Sequence, residues 1–147
     1  MGTLKGRAVE ILLVEDNPGD VVLTKQAFIS AKIQNTLAVA SDGEEALDYL
    51  HKRNGFEGVT TPDIVLLDLN MPKKDGKEVL AEIKKSEKLK RIPVVVMTSS
   101  KAEQDVVKTY DLHANSYLLK PVDMNEFARV VTAIENFWFT VVVLPNS

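Results

Sequence analysis

Apolar positions along the chain follow two alternating rhythms. Five short, nearly unbroken apolar runs, at 9–14, 36–40, 64–67, 93–97 and 116–119, predict strands. The plainest is DIVLLDLNMP (63–72), whose core is continuous Ile, Val and Leu. A strand buried on both faces loses the usual apolar–polar alternation and reads this way. Between these runs, polar segments carry apolar residues at helical spacing and predict helices over about 18–31, 44–53, 76–86, 101–112 and 124–137. Leu47 and Leu50 mark one buried helical face, and Phe127, Val130, Val131 and Ile134 mark another at i, i+3, i+4, i+7. The longest internal loop is 55–62, and no internal repeat appears.

Each strand is followed by a residue able to cap a helix, with an acid three places on. The pairs are Asn17 with Asp20, Ser41 with Glu44, Asp75 with Glu78, Ser100 with Glu103, and Asp123 with Glu126. Such boxes satisfy the free N–H groups of a first helical turn. Pro18 follows Asn17, where its missing N–H does no harm. Repeated strand–helix units joined by right-handed crossovers give an α/β fold: a mostly parallel sheet with helices on both faces. Ligands in such sheets bind beyond the carboxyl ends of the strands. That rule selects Glu15-Asp16, Asp68-Leu69-Asn70, Thr98-Ser99 and Lys120-Pro121.

Composition narrows the possibilities. The 147 residues, 45% apolar and 27% charged, suit one soluble globular domain. With no cysteine, disulfides, thiolate zinc sites and thiol catalysis are excluded. Two histidines, His51 and His113, sit in helical stretches without an evident partner. No apolar run reaches the roughly 20 residues of a membrane span, and the N-terminus lacks the apolar core of a signal peptide. These features predict a cytoplasmic protein. A net charge of −3 without a dense basic cluster gives nucleic-acid binding no support.

The strand ends carry acids, one hydroxyl and one lysine. If Glu15, Asp16 and Asp68 converge, they cannot all stay ionised without a cation. Mg²⁺ suits two or three carboxylates with a backbone carbonyl, since it keeps several waters, and the spacing does not match a calcium-binding EF-hand. Lys120 and the Thr98 hydroxyl are then placed to contact phosphoryl oxygens, with Asp68 as the nucleophile. Taken singly, each has an ordinary structural explanation: a helix cap, a turn hydroxyl, a surface charge. Their placement at one sheet edge favours the joint reading.

The motifs ILLVEDN, DIVLLDLNMPKKDG, PVVVMTSS and NSYLLKP, in that order over residues 8–136, resemble the receiver domain of two-component response regulators. The resemblance implies a flavodoxin-like, doubly wound (βα)5 sheet of order 2-1-3-4-5. It implies that Asp68 is the phosphoacceptor for a sensor histidine kinase. Asp16, Asp68 and the Asn70 carbonyl would hold Mg²⁺ directly, and Glu15 would act mainly through metal-bound water. Lys120 would pair with Asp68 and then with the phosphoryl group. Thr98 would move toward that group, Tyr117 would turn into the vacated space, and the bond before Pro121 would be cis. The readout would be the surface of the fourth helix, fifth strand and fifth helix. Glu15 departs from the paired aspartates of many receivers by one methylene.

Beyond the fifth helix only FWFTVVVLPNS (137–147) remains, too short for an output domain. Its two alternating faces are both apolar, and Phe137, Trp138, Phe139, Val141, Val143 and Leu144 read as a dimerisation arm. Tails of this form resemble those of small regulators partnered with cyanobacterial and bacterial phytochromes, which implies a light-signalling homodimer. A phosphorelay intermediate or a chemotaxis-type receiver is the nearest alternative. A small-molecule phosphatase with an aspartate nucleophile is less well supported, because Asn70 stands where a general acid is needed. A flavin module lacks its Gly-rich phosphate loop.

Overall fold

The computed structural model describes residues 9–30, 35–69, 75–101, 116–120, 123 and 125–126. Its elements run β1 (Val9–Val14), α1 (Pro18–Ser30), β2 (Asn35–Ala40), α2 (Gly43–His51), β3 (Ile64–Asp68), α3 (Gly76–Lys85), β4 (Val94–Thr98) and β5 (Ser116–Leu119). The strands form one parallel sheet in the order β2-β1-β3-β4-β5, as the resemblance implied. The predicted helices 101–112 and 124–137, and the tail 137–147, lie almost wholly outside the described residues.

Burial on both faces explains the continuous apolar runs. Every residue of β3 and β4 is buried. Side chains alternate across the sheet, so the core divides in two. Leu12, Val14, Val65, Leu67, Val94 and Val96 pack with Ala46, Leu47 and Leu50 of α2 and Val79, Leu80 and Ile83 of α3. Val9, Ile11, Leu13, Ile64, Leu66, Val95, Met97 and Leu118 pack with Phe28 of α1 on the other face. No helix among the described residues is long and apolar enough to cross a membrane.

Several boundaries differ from the sequence reading. β2 begins one residue earlier, and β4 is displaced by one to Val94–Thr98. Pro93 has no N–H for the ladder, yet its carbonyl accepts the Val65 N–H at 3.0 Å. Asp68 and Thr98 are therefore the last residues of their strands rather than the first beyond them, and Asp68 still pairs with Met97 in the ladder. The α2 cap also moves: Asp42, not Ser41, accepts the Glu45 N–H, at 2.8 Å. Glu45 in turn accepts the N–H of Ser41, the residue before the cap, at 2.6 Å, so the return contact falls one residue outside a reciprocal capping box. α2 closes at His51, where Lys52 turns left-handed with φ 55°. At α3 the expected box is complete: Asp75 accepts the Glu78 N–H at 3.0 Å and Glu78 accepts the Asp75 N–H at 3.2 Å.

Candidate functional site

The register of the sheet assembles the site. Val14 lies level with Leu67, so Glu15, the next residue of the chain, arrives beside Asp68. Thr98 lies level with Leu119, which brings Lys120 to the same edge. The Lys120 N–H donates to the Thr98 carbonyl at 2.9 Å and the Glu15 N–H to the Ala40 carbonyl at 3.0 Å, so the main chain at both points is an extension of the ladder. By two-residue alternation Glu15, Asp68 and Lys120 share the α1 face of the sheet, following Leu13, Leu66 and Leu118.

Glu15, Asp16 and Asp68 converge: each offers a carboxylate oxygen, and these oxygens all lie within 4.8 Å of one another. Glu15 and Asp68 are only 1% and 2% exposed, whereas Asp16 is open to solvent. The Lys120 ammonium sits among them, 3.0 and 3.2 Å from the two Glu15 oxygens, 3.4 Å from Asp68 Oδ2 and 2.8 Å from Asp20 Oδ2. Burial above all, and then the hydrogen bond with Asp68, push the Glu15 carboxyl up to about 7 against the pull of Lys120. Burial would lower Lys120, but the hydrogen bonds to Asp20 and Glu15 and the charge of Asp68 outweigh it and hold the ammonium above the usual lysine range.

One ammonium faces several carboxylates, and the raised Glu15 reflects first its burial and then the neighbouring Asp68. The donors are all oxygen, two buried and one facing water. This set fits a hard divalent cation that keeps part of its water shell. Glu15, Asp16 and Asp68 are the described residues able to hold one.

Thr98 is fully buried at the end of β4, and its Oγ1 accepts the Ser100 N–H at 3.1 Å. Tyr117 is half-buried against the core beneath α2 and α3. Asn70, Pro121 and the tail residues Phe137, Trp138, Phe139, Val141, Val143 and Leu144 lie outside the described residues, as does His113. His51 ends α2 and is not among the residues that converge with these acids.

The sequence pattern makes Asp20 half of a capping box with Asn17, and the structure completes only one half of it. Asn17 Oδ1 does accept the Asp20 N–H, at 3.1 Å. The Asp20 carboxylate, however, goes to Lys120, and the Asn17 N–H points to Glu15 Oε2 at 3.4 Å instead. The only signal in the chain was an acid four residues after Asp16, which is indistinguishable from a cap until the fold brings residue 120 beside it.

The model of the response regulator receiver domain matches residues 11–132. Response regulator Rcp1 of Synechocystis sp. (strain ATCC 27184 / PCC 6803 / Kazusa) is 45% identical over 137 residues, 93% of each chain. Its Mn²⁺-bound crystal structure superposes with a TM-score of 0.72 at 44% identity, covering 93% of this chain and 99% of that one. The bacteriophytochrome response regulator AtBRR gives a TM-score of 0.81 at 45% identity, over 86% of this chain and 91% of its own. The phosphorylated cyanobacterial phytochrome response regulator RcpA gives 0.74 at 42%, over 95% and 99%.

Proposed function

The chain belongs to the response regulator receiver family, and from that premise we propose that Asp68 accepts a phosphoryl group from the phosphohistidine of a sensor kinase. The observation that carries this is a buried Asp68 whose carboxylate lies within 4.8 Å of two further acids and 3.4 Å from a lysine ammonium. A carboxylate oxygen of Asp68 forms the new bond to phosphorus as the phosphorus–nitrogen bond of the phosphohistidine breaks. The receiver is a signalling module, so the small-molecule phosphatase reading gives way.

We assign Mg²⁺ to Asp16, Asp68 and the main-chain carbonyl of Asn70 as direct ligands, with Glu15 acting mainly through metal-bound water. When bound, it neutralises charge on the carboxylates and the incoming phosphoryl oxygens. The Mn²⁺-bound form of Rcp1 and the phosphorylated RcpA, 44% and 42% identical to this chain, support the assignment. Lys120 supplies a cation to the phosphoryl group once its present carboxylate partners release it. Thr98 donates its hydroxyl to the same group, and Tyr117 follows into the space behind it. The response leaves through the fourth helix, β5 and the fifth helix.

The relatives named for phytochrome regulation support a phytochrome-type kinase as partner; the cytoplasm as the site of action rests on the sequence composition alone. Residues 8–136 form the receiver, and 137–147 (Phe137, Trp138, Phe139, Val141, Val143, Leu144) serve as the arm of a homodimer. Light scattering on a chain ending at Asn136 tests the arm: undiminished dimerisation rejects it. The phosphoacceptor has its own test. Incubation with acetyl phosphate and Mg²⁺ adds one phosphoryl group by mass spectrometry to the wild type and none to Asp68→Asn. Persistent labelling of the variant rejects Asp68.

A further inference from the structure

The lysine of the site is not held chiefly by the residue it is meant to serve. An ammonium has three donors. Those of Lys120 are directed at Asp20 (2.8 Å) and Glu15 (3.0 and 3.2 Å), with Asp68 the most distant partner at 3.4 Å. Its shortest contact is therefore to a residue outside the acid triad. Asp20 is well placed to be a fixed anchor. It lies in the first turn of α1, where the helix dipole favours a carboxylate. That turn is pinned by Pro18 and by the Asn17 side chain on the Asp20 N–H. Asp20 also gives up the capping contact its position offers, since its carboxylate reaches Lys120 and leaves the Asn17 N–H to Glu15. Helix α1 and the end of β5 are thus joined through one ion pair across 100 residues of chain, the lysine side chain being 14% exposed and the aspartate 32%.

We infer that Asp20 is a positioning residue: it draws the Lys120 ammonium toward α1 in competition with Asp68, and this tether must be released for Lys120 to serve the phosphorylated form. The inference rests on the assignment of Asp68 as phosphoacceptor. Two states then compete for one ammonium. In one, Lys120 bridges Asp20 and Glu15. In the other, it swings toward the new anionic oxygens on Asp68 and leaves Asp20 to solvent, which its partial exposure permits. Asp20 sets the balance between them without touching the phosphoryl group.

The test is an Asp20→Asn exchange, which removes the charge, keeps the shape and retains the main-chain N–H bonded to Asn17. Beryllofluoride with Mg²⁺ serves as the phosphoryl probe. The expected result is beryllofluoride binding tighter by roughly 3- to 10-fold, the size of one partly exposed charged hydrogen bond. Asp20→Glu, which keeps the carboxylate, should lie nearer the wild type. Loss of a negative charge near an anion would also tighten binding directly, and a double-mutant cycle separates the two. In a Lys120→Gln background, Asp20→Asn should give only the direct part, a clearly smaller gain. An unchanged or weaker affinity in Asp20→Asn overturns the inference, and so does an equal gain with and without Lys120. A second readout needs no phosphoryl chemistry: the ¹⁵N resonance of the Lys120 ammonium should shift in Asp20→Asn. If the wild type takes up no beryllofluoride and no phosphoryl group, the phosphoacceptor assignment fails. The tether is then judged on that resonance alone, and an unmoved signal overturns it.

Discussion

Replacing Gly76 by alanine places a methyl group against the main chain that carries Asp68. Gly76 opens α3, and a Cβ there would fall inside the contact distance of the Asp68 carbonyl oxygen, 2.6 Å from the Leu69 Cα and 3.1 Å from the Asp68 carbonyl carbon. All three neighbours are backbone, so no side chain can rotate away. Either α3 retreats, which opens the contacts of the fully buried Val79, Leu80 and Ile83, or the end of β3 gives. The second route strains the Gly76 N–H to Leu69 carbonyl bond (3.0 Å) and the Leu69 N–H to Met97 carbonyl bond (3.1 Å). Overpacking of this kind costs about 1–3 kcal/mol. The better helix propensity of alanine returns at most about 1 kcal/mol, and less at a first helical position. The clash wins, and the net loss is on the order of 1–2 kcal/mol. For a domain of this size that lowers Tm by roughly 2–8 °C. Circular dichroism melts check it, with Gly58→Ala as control, because a Cβ at Gly58 meets nothing within 4 Å. Acetyl phosphate labelling of Gly76→Ala should also slow, since the displaced carbonyl belongs to Asp68 itself. A Tm equal to or above that of the wild type refutes the reasoning.

Three further outcomes follow from the same geometry. The Glu15 carboxyl, pushed up to about 7 from an ordinary value of 4.5, binds its proton more tightly folded than unfolded. In chelator, stability should therefore fall as pH rises from about 4.5 to about 7, and added Mg²⁺ should flatten the slope; urea midpoints across that window check both. Leu80→Ala empties a site with no exposure, and should lose about 2–5 kcal/mol in chemical denaturation. Asp75→Ala removes the side-chain half of the α3 capping box and should lose about 1 kcal/mol by the same assay, with Asp75→Asn close to the wild type.

Much of the architecture was written locally. Continuous apolar runs name the strands because a strand buried on both faces has no polar position to alternate with, and β3 and β4 are buried throughout. The Asp75–Glu78 box is a contact between residues three apart and needed nothing beyond its own segment. The convergence of Glu15, Asp16 and Asp68 was legible one step further on, because a doubly wound sheet brings its strand ends to a common edge. Local chemistry failed where two neighbours were equally apt. Ser41 and Asp42 can both cap a helix, and only the exit of the chain from β2 chose Asp42. It failed also where the decisive partner is remote. A capping aspartate and a lysine tether look alike in the sequence, and what makes Asp20 the latter is a residue 100 positions away. Gly76 could have been any turn glycine until α3 was laid against the end of β3. Periodicity and caps act within one or a few turns and so belong to the sequence. The sharing of one ammonium among three carboxylates depends on sheet register and helix approach, which exist only once the chain has closed on itself.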